Sequence, residues 1–132
     1  MAQYQHLRIY NKAFDILKDL YERVPKFGKQ YKYLLGGKLI ESNIKIIELI
    51  ILANSEKDKE KRQALIEKIC LASEILLLNL RVANELRQFG NQRSYLYLSE
   101  LATDLIRQAE GWKKYNPQNG ELEGSSSITG TA

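Results

Sequence analysis

Cysteine, histidine and proline are almost absent from this chain of 132 residues, and each scarcity excludes something. The lone cysteine, Cys70, cannot form a disulfide within the chain, so no disulfide framework is available and a reducing cytoplasm is the expected compartment. The single histidine, His6, has no Glu-x-x-His partner through which a helical bundle could hold two metal ions, so no metal or other cofactor is expected. Uninterrupted apolar runs are also missing. The longest is Leu49 to Ala53, against the roughly 20 apolar residues that cross a bilayer, so no membrane span is expected. Met1 to His6 lacks the basic-then-apolar order of a secretory signal. The length suits one domain rather than a multi-domain enzyme.

The only prolines are Pro25 and Pro117, and the 91 residues between them lack the strongest helix breaker. No strand-like alternation interrupts them, so the chain reads as all-α. Leu7, Tyr10, Phe14, Leu17, Tyr21 and Val24 are spaced 3 and 4 apart and predict a first helix from about residue 4 to 24. A second follows through Leu35, Leu39, Ile40, Ile44, Ile47 and Ile51 to near Asn54. Ser55 with Asp58 has the form of a capping box opening a third helix. Its seam is Leu65, Ile69, Ala72, Leu76, Leu80, Ala83 and Leu86, and Gly90 is placed to close it in a left-handed cap near residue 89. Asn91 can cap a fourth, with Tyr95, Leu98, Leu101, Leu105, Ala109 and Trp112. Short connections favour antiparallel neighbours, hence an up-down-up-down four-helix bundle over residues 1–116. Residues 117–132 are small and polar without periodicity and read as a flexible C-terminal tail.

The second and third helices carry more apolar surface than one core uses. Ile44, Ile46, Ile47, Leu49, Ile50, Ile51 and Leu52 on one, and Ile75, Leu76, Leu77, Leu78 and Leu80 on the other, predict a second buried face and therefore self-association. Catalytic groups are sparse. Glu41 with Glu48 and Glu67 with Glu74 share helical faces, but Lys45 sits at ion-pair spacing between the first two, so they read as solvated charges. Cys70 adjoins the seam and reads as a small buried hydrophobe. Gly36-Gly37 fits no phosphate-loop spacing; the pair marks either a helix break or a close approach by another backbone or a ligand. The chain is therefore expected not to be an enzyme.

Charge is unevenly spread. Arg23 to Ile40 holds five basic residues, Arg23, Lys26, Lys29, Lys32 and Lys38, and no acid. Phe27, Tyr31 and Tyr33 are interleaved, a mixture in which lysine neutralises phosphate and a ring stacks on an unpaired base. Arg81, Arg87, Arg93 and Arg107 add planar guanidinium groups. Residues 1–116 carry a net +6, because Glu121 and Glu123 lie beyond them. The ordinary reading of such a run is a solvated face; the functional one is a nucleic-acid surface.

Several stretches carry a resemblance. These are Pro25-Lys-Phe-Gly-Lys-Gln-Tyr-Lys-Tyr-Leu-Leu-Gly-Gly-Lys-Leu39, Ile50-Ile-Leu-Ala-Asn54, Leu80-Arg-Val-Ala-Asn-Glu-Leu86, Leu98-Ser-Glu-Leu101 and Gly111-Trp112. Together they resemble the accessory variability determinant proteins of diversity-generating retroelements, over nearly all of residues 5–115. The segment Lys32 to Gly37 and the terminal Gly-Trp are the most specific parts. The resemblance implies a homopentameric barrel of four-helix bundles without a catalytic site. Such a barrel associates with the element's reverse transcriptase and with template RNA or DNA, and supports mutagenic retrohoming, the error-prone copying of a template repeat. Lys32, Lys38 and Arg81 are its matching basic residues; Lys26, Lys29, Arg87 and Arg93 join them on charge alone. Gly37 and the tail depart from the pattern. The alternatives are the bundle proteins encoded in ribosomal-RNA intervening sequences, which share the architecture, and a protein-only oligomeric adaptor.

Overall fold

A computed structural model of the chain describes residues 7–116, and every regular element among them is helical. Helix α1 spans Arg8–Arg23 and runs into a single 3-10 turn, Val24–Lys26, where Pro25 has no N–H to continue an α-helix. The second rod opens with a short helical turn, Lys29–Tyr31, passes through a π-helical segment, Lys32–Gly36, and becomes α2, Gly37–Ser55. Helix α3 spans Lys59–Glu85 and α4 spans Gln92–Lys114. Each helix packs against two others in a closed cycle, α1 on α2, α2 on α3, α3 on α4 and α4 on α1. Cross-links fix the directions: Arg62 in the first turn of α3 meets Asn116 just past the end of α4, and Lys12 in the first half of α1 meets Asp104 at the middle of α4 at 3.4 Å. Neighbours are therefore antiparallel. None of the helices among the described residues is long and apolar enough to cross a membrane. His6 and the expected tail, residues 117–132, lie outside the described residues.

Local chemistry moves several expected boundaries. Leu7 is extended (φ −73°, ψ 135°), so α1 begins at Arg8, and residues 4 to 6 of the expected first turn lie outside the described residues. The cap of α3 is Asp58 rather than Ser55: its carboxylate accepts from Lys61 N at 2.9 Å, while the Ser55 hydroxyl donates back to Ile51 O within the last turn of α2. Asn91 caps α4 as expected, accepting from Ser94 N at 2.8 Å. Helix α3 ends four residues before the expected 89, and the left-handed position is Arg87 (φ 60°), not Gly90.

The core also departs from the expected seam of α1. Leu7 and Val24 at its two ends are buried as expected, but between them the core takes Ile9, Ala13, Ile16 and Leu20, whereas Phe14 and Tyr21 are exposed and Tyr10 and Leu17 half-buried. Two apolar stripes run side by side on this helix, and close approach of α2 selects the one with a small residue: Asn43 Nδ2 donates to Ala13 O at 2.9 Å. On α2 the core takes Leu39, Asn43, Ile46, Leu49, Ile50 and Ala53; the expected Ile40, Ile44, Ile47 and Ile51 are half-buried. On α3, Ile69, Leu76, Leu80 and Ala83 are buried as expected, Leu65 and Ala72 are half-buried, and Leu86 is exposed. The seam of α4 from Leu98 to Trp112 is buried as expected.

The two adjacent glycines have different environments. A Cβ at Gly36 would lie 2.4 Å from Val24 Cγ1, so Gly36 is the point where the second rod crosses the end of α1. Nothing lies within 4 Å of the corresponding position at Gly37. Valine is stiff about χ1 and cannot swing aside freely. Gly36→Ala is therefore expected to destabilise by about 1–2 kcal/mol, overpacking outweighing the gain in helix propensity. Gly37→Ala should instead stabilise by up to about 1 kcal/mol. Urea unfolding of both variants checks this, and a shift of the same sign for the two would remove the crossing as the reason for Gly36.

Candidate nucleic-acid interface

The antiparallel arrangement puts the α1–α2 and α3–α4 connections at the same end of the bundle, and specific contacts join them. Gly28 N donates to Gln88 Oε1 at 2.7 Å, and Gln88 Nε2 donates to Leu86 O. The ring of Phe27 meets Phe89 edge-on, with centroids 5.8 Å apart, and Phe89 continues to Tyr95. Lys26, Lys29 and Lys32 are carried on the first connection and the turns that follow it, Arg87 and Arg93 on or beside the second. These five of the seven candidates therefore come together. Lys38 projects from the first turn of α2, and Arg81 from α3 one turn before its end, so both flank the end rather than cap it. Lys32 is half-buried and the other six are exposed.

The net charge is confined to this end. Residues 22–38 and 81–97 hold eight lysines and arginines against two glutamates, a net of +6. The remainder of residues 7–116 has twelve groups of each sign and is neutral. Outside these stretches some cations are held by carboxylates: Lys12 and Arg107 with Asp104, Lys18 with Asp15, and Lys113 with Glu110. Arg23, within the first stretch, is held in the same way. Its guanidinium forks onto Asp19 at 2.6 and 2.9 Å, and that hydrogen bond, more than the accompanying charge, raises its pKa further above the ordinary arginine value. Among the described residues none of the seven candidates makes an ion pair. Unneutralised charge gathered at one end raises the local potential that steers a polyanion.

The aromatic half of the expectation needs correction. Phe27 is buried in the core and Tyr31 is partly buried against it, so neither is free to stack on a ligand. Tyr33 is the exposed one, beside exposed Leu34 on the π-helical segment. Phe27 is taken into the core by Phe89 of the other connection, a contact with no signal in the local sequence. An open depression beside the second connection is lined by Asn84, Glu85, Arg87, Phe89, Gly90, Asn91 and Gln92.

The other candidates for chemistry are placed as follows. Cys70 is buried, and its thiol is pushed up to about 12, first by burial and then by the neighbouring Glu110 carboxylate. It is therefore protonated and unreactive near neutral pH. Among the described residues no three His, Cys, Asp or Glu side chains are grouped to hold a metal ion. Glu41, Glu48, Glu67 and Glu74 are all exposed. Comparison with family models, curated proteins and solved structures gives no match for this chain.

Proposed function

We propose that this chain is a non-catalytic accessory protein of a diversity-generating retroelement, binding nucleic acid and the element's reverse transcriptase during mutagenic copying of template RNA. The observation that carries the reading is the confinement of the net +6 of the described residues to one end of the bundle, where every cation but Arg23 is free of ion pairs. The resemblance of the Lys32 to Gly37 segment and of Gly111-Trp112 supplies the retroelement context. In this reading the protein acts in the cytoplasm as a homo-oligomer, a pentameric barrel in which the basic end is repeated around one axis and weak phosphate contacts add multivalently.

Salt titration of binding to a structured RNA tests the reading. Replacing Lys26, Lys29 and Lys32 together by glutamine should weaken binding at least tenfold near physiological salt. It should also flatten the slope of log affinity against log salt by about two to three counterions. Loss of affinity without a change of slope would place the phosphate contacts elsewhere. The exposed Leu71, Ile75, Leu78 and Val82, spaced 4, 3 and 4 apart along α3, form an apolar ridge that favours a second reading, a protein-only adaptor. Negligible RNA binding by the unaltered chain at roughly 50 to 150 mM salt is the result expected of that adaptor.

A further inference from the structure

We propose that the π-helical segment Lys32–Gly36 presents a stacking site for an unpaired base, so that the basic end takes single-stranded nucleic acid in preference to duplex. This rests on the nucleic-acid reading above and adds the strandedness of the ligand and the residue that reads it. Tyr33 is 80% exposed and Leu34 74%, more than any other large apolar side chain among the described residues. Their exposure is imposed by the backbone. A π turn closes over five residues, one more than an α turn, and the additional residue bulges on the outside. Both ends of the bulge are fixed on the inside: Tyr31 packs against the core and Gly28 N is held by Gln88, while Leu35 is buried and Gly36 lies against Val24. The helix therefore cannot slip a residue to bury Tyr33. Single-turn π bulges carry an energetic cost and concentrate at functional sites.

The chemistry of the surroundings selects the occupant. Lys29 and Lys32 lie within four residues of Tyr33 and Lys38 within five, and Gly37 leaves bare helix backbone beside it. An apolar ring among cations, with no acid between Arg23 and Ile40, fits a ligand that combines a flat π face with phosphate. Duplex offers the phosphates, but its base faces are hidden within the stack. A second copy of this segment is disfavoured, because it would bring the same lysines against themselves. Tyrosine also has only two side-chain torsions to immobilise on stacking.

The full-length chain is titrated with fluorescently labelled oligouridine of roughly 12 nucleotides, within the site sizes typical of stacking proteins, and with an RNA duplex of equal length. The single strand should bind about fivefold or more tightly than the duplex. Tyr33→Ala should erase that preference, weakening single-strand binding about fivefold or more while leaving the salt slope and duplex binding unchanged; Tyr33→Phe should retain it. Sedimentation of Tyr33→Ala should match the unaltered protein. Equal affinity for both RNAs, with a steep salt slope that Tyr33→Ala does not disturb, overturns the stacking site and leaves the basic surface standing. No binding of either RNA at low salt overturns both. Binding lost only together with the oligomer reassigns Tyr33 to a subunit contact and overturns the site as well.

Discussion

Arg62→Ala should lower the stability of the fold by about 3 kcal/mol or more, the largest loss expected of any single substitution here. Arg62 is completely buried, and its guanidinium serves at least three acceptors from two separate parts of the chain. Nε donates to Asn116 Oδ1 at 2.6 Å, and Nη1 donates to Glu56 O at 2.8 Å and Lys57 O at 3.3 Å. Asn116 in turn donates through Nδ2 to Lys59 O and Gln63 Oε1. This network clasps the end of α4 to the α2–α3 connection, opposite the basic end. Truncation leaves the buried Asn116 Oδ1 without its donor, at about 1–3 kcal/mol, loses the part-buried bonds to Glu56 O and Lys57 O, and adds a cavity the size of a large side chain. Arg62→Met separates the two contributions. It fills most of the space but cannot donate, so it should also destabilise, whereas a buried charge that served only another charge could be replaced by an apolar residue at little cost. Urea unfolding gives both values. A methionine variant as stable as the unaltered chain would mean that packing, not hydrogen bonding, is what Arg62 provides.

Arg62 also shows what was legible in the sequence. Arg62, Ile66, Ile69, Ser73, Leu76 and Leu80 are spaced 4 and 3 apart throughout, and all are buried. The arginine and the serine occupy core positions, but a search for apolar residues passes over them, and Arg62 sits in the charged run from Glu56. Asn43 hides the seam of α2 in the same way, leaving the neighbouring isoleucine stripe to look like the core. The cap at Asn91 and the seam of α4 are legible because there a single apolar stripe coincides with a clear start signal. Helix α1 is ambiguous because it has two stripes, and the choice between them depends on how closely α2 approaches Ala13. Half of the candidate interface is visible as the lysine run. The other half, Arg87 and Arg93, joins it only through the antiparallel topology, and the burial of Phe27 against Phe89 is a tertiary fact with no local signal.

Substituting Leu71 and Leu78 of α3 together by glutamate should convert the proposed oligomer to a folded monomer. Leu71 (63% exposed), Ile75, Leu78 (56%) and Val82 are spaced 4, 3 and 4 apart and form a ridge on the solvent face of α3. Glu67, Glu74, Arg81 and Glu85 occupy the other side of that face, so apolar and charged side chains are segregated rather than mixed. A half-exposed aliphatic side chain gains on the order of 1 kcal/mol when covered, so the four of the ridge contribute on the order of 4 kcal/mol to each contact of a ring. Glutamate at two of the four positions removes that gain and places carboxylates where an apolar partner would desolvate them, at several kcal/mol. In the isolated subunit the same changes fall on exposed helix positions and should alter stability by no more than about 0.5 kcal/mol. Sedimentation equilibrium and circular dichroism together separate assembly from folding. Monomer mass with unchanged helicity supports the ridge as the subunit contact. If the double variant keeps the mass of the unaltered oligomer, the contact must lie elsewhere, and the half-buried stripe of Ile44, Ile47 and Ile51 on α2 becomes the surface to substitute next.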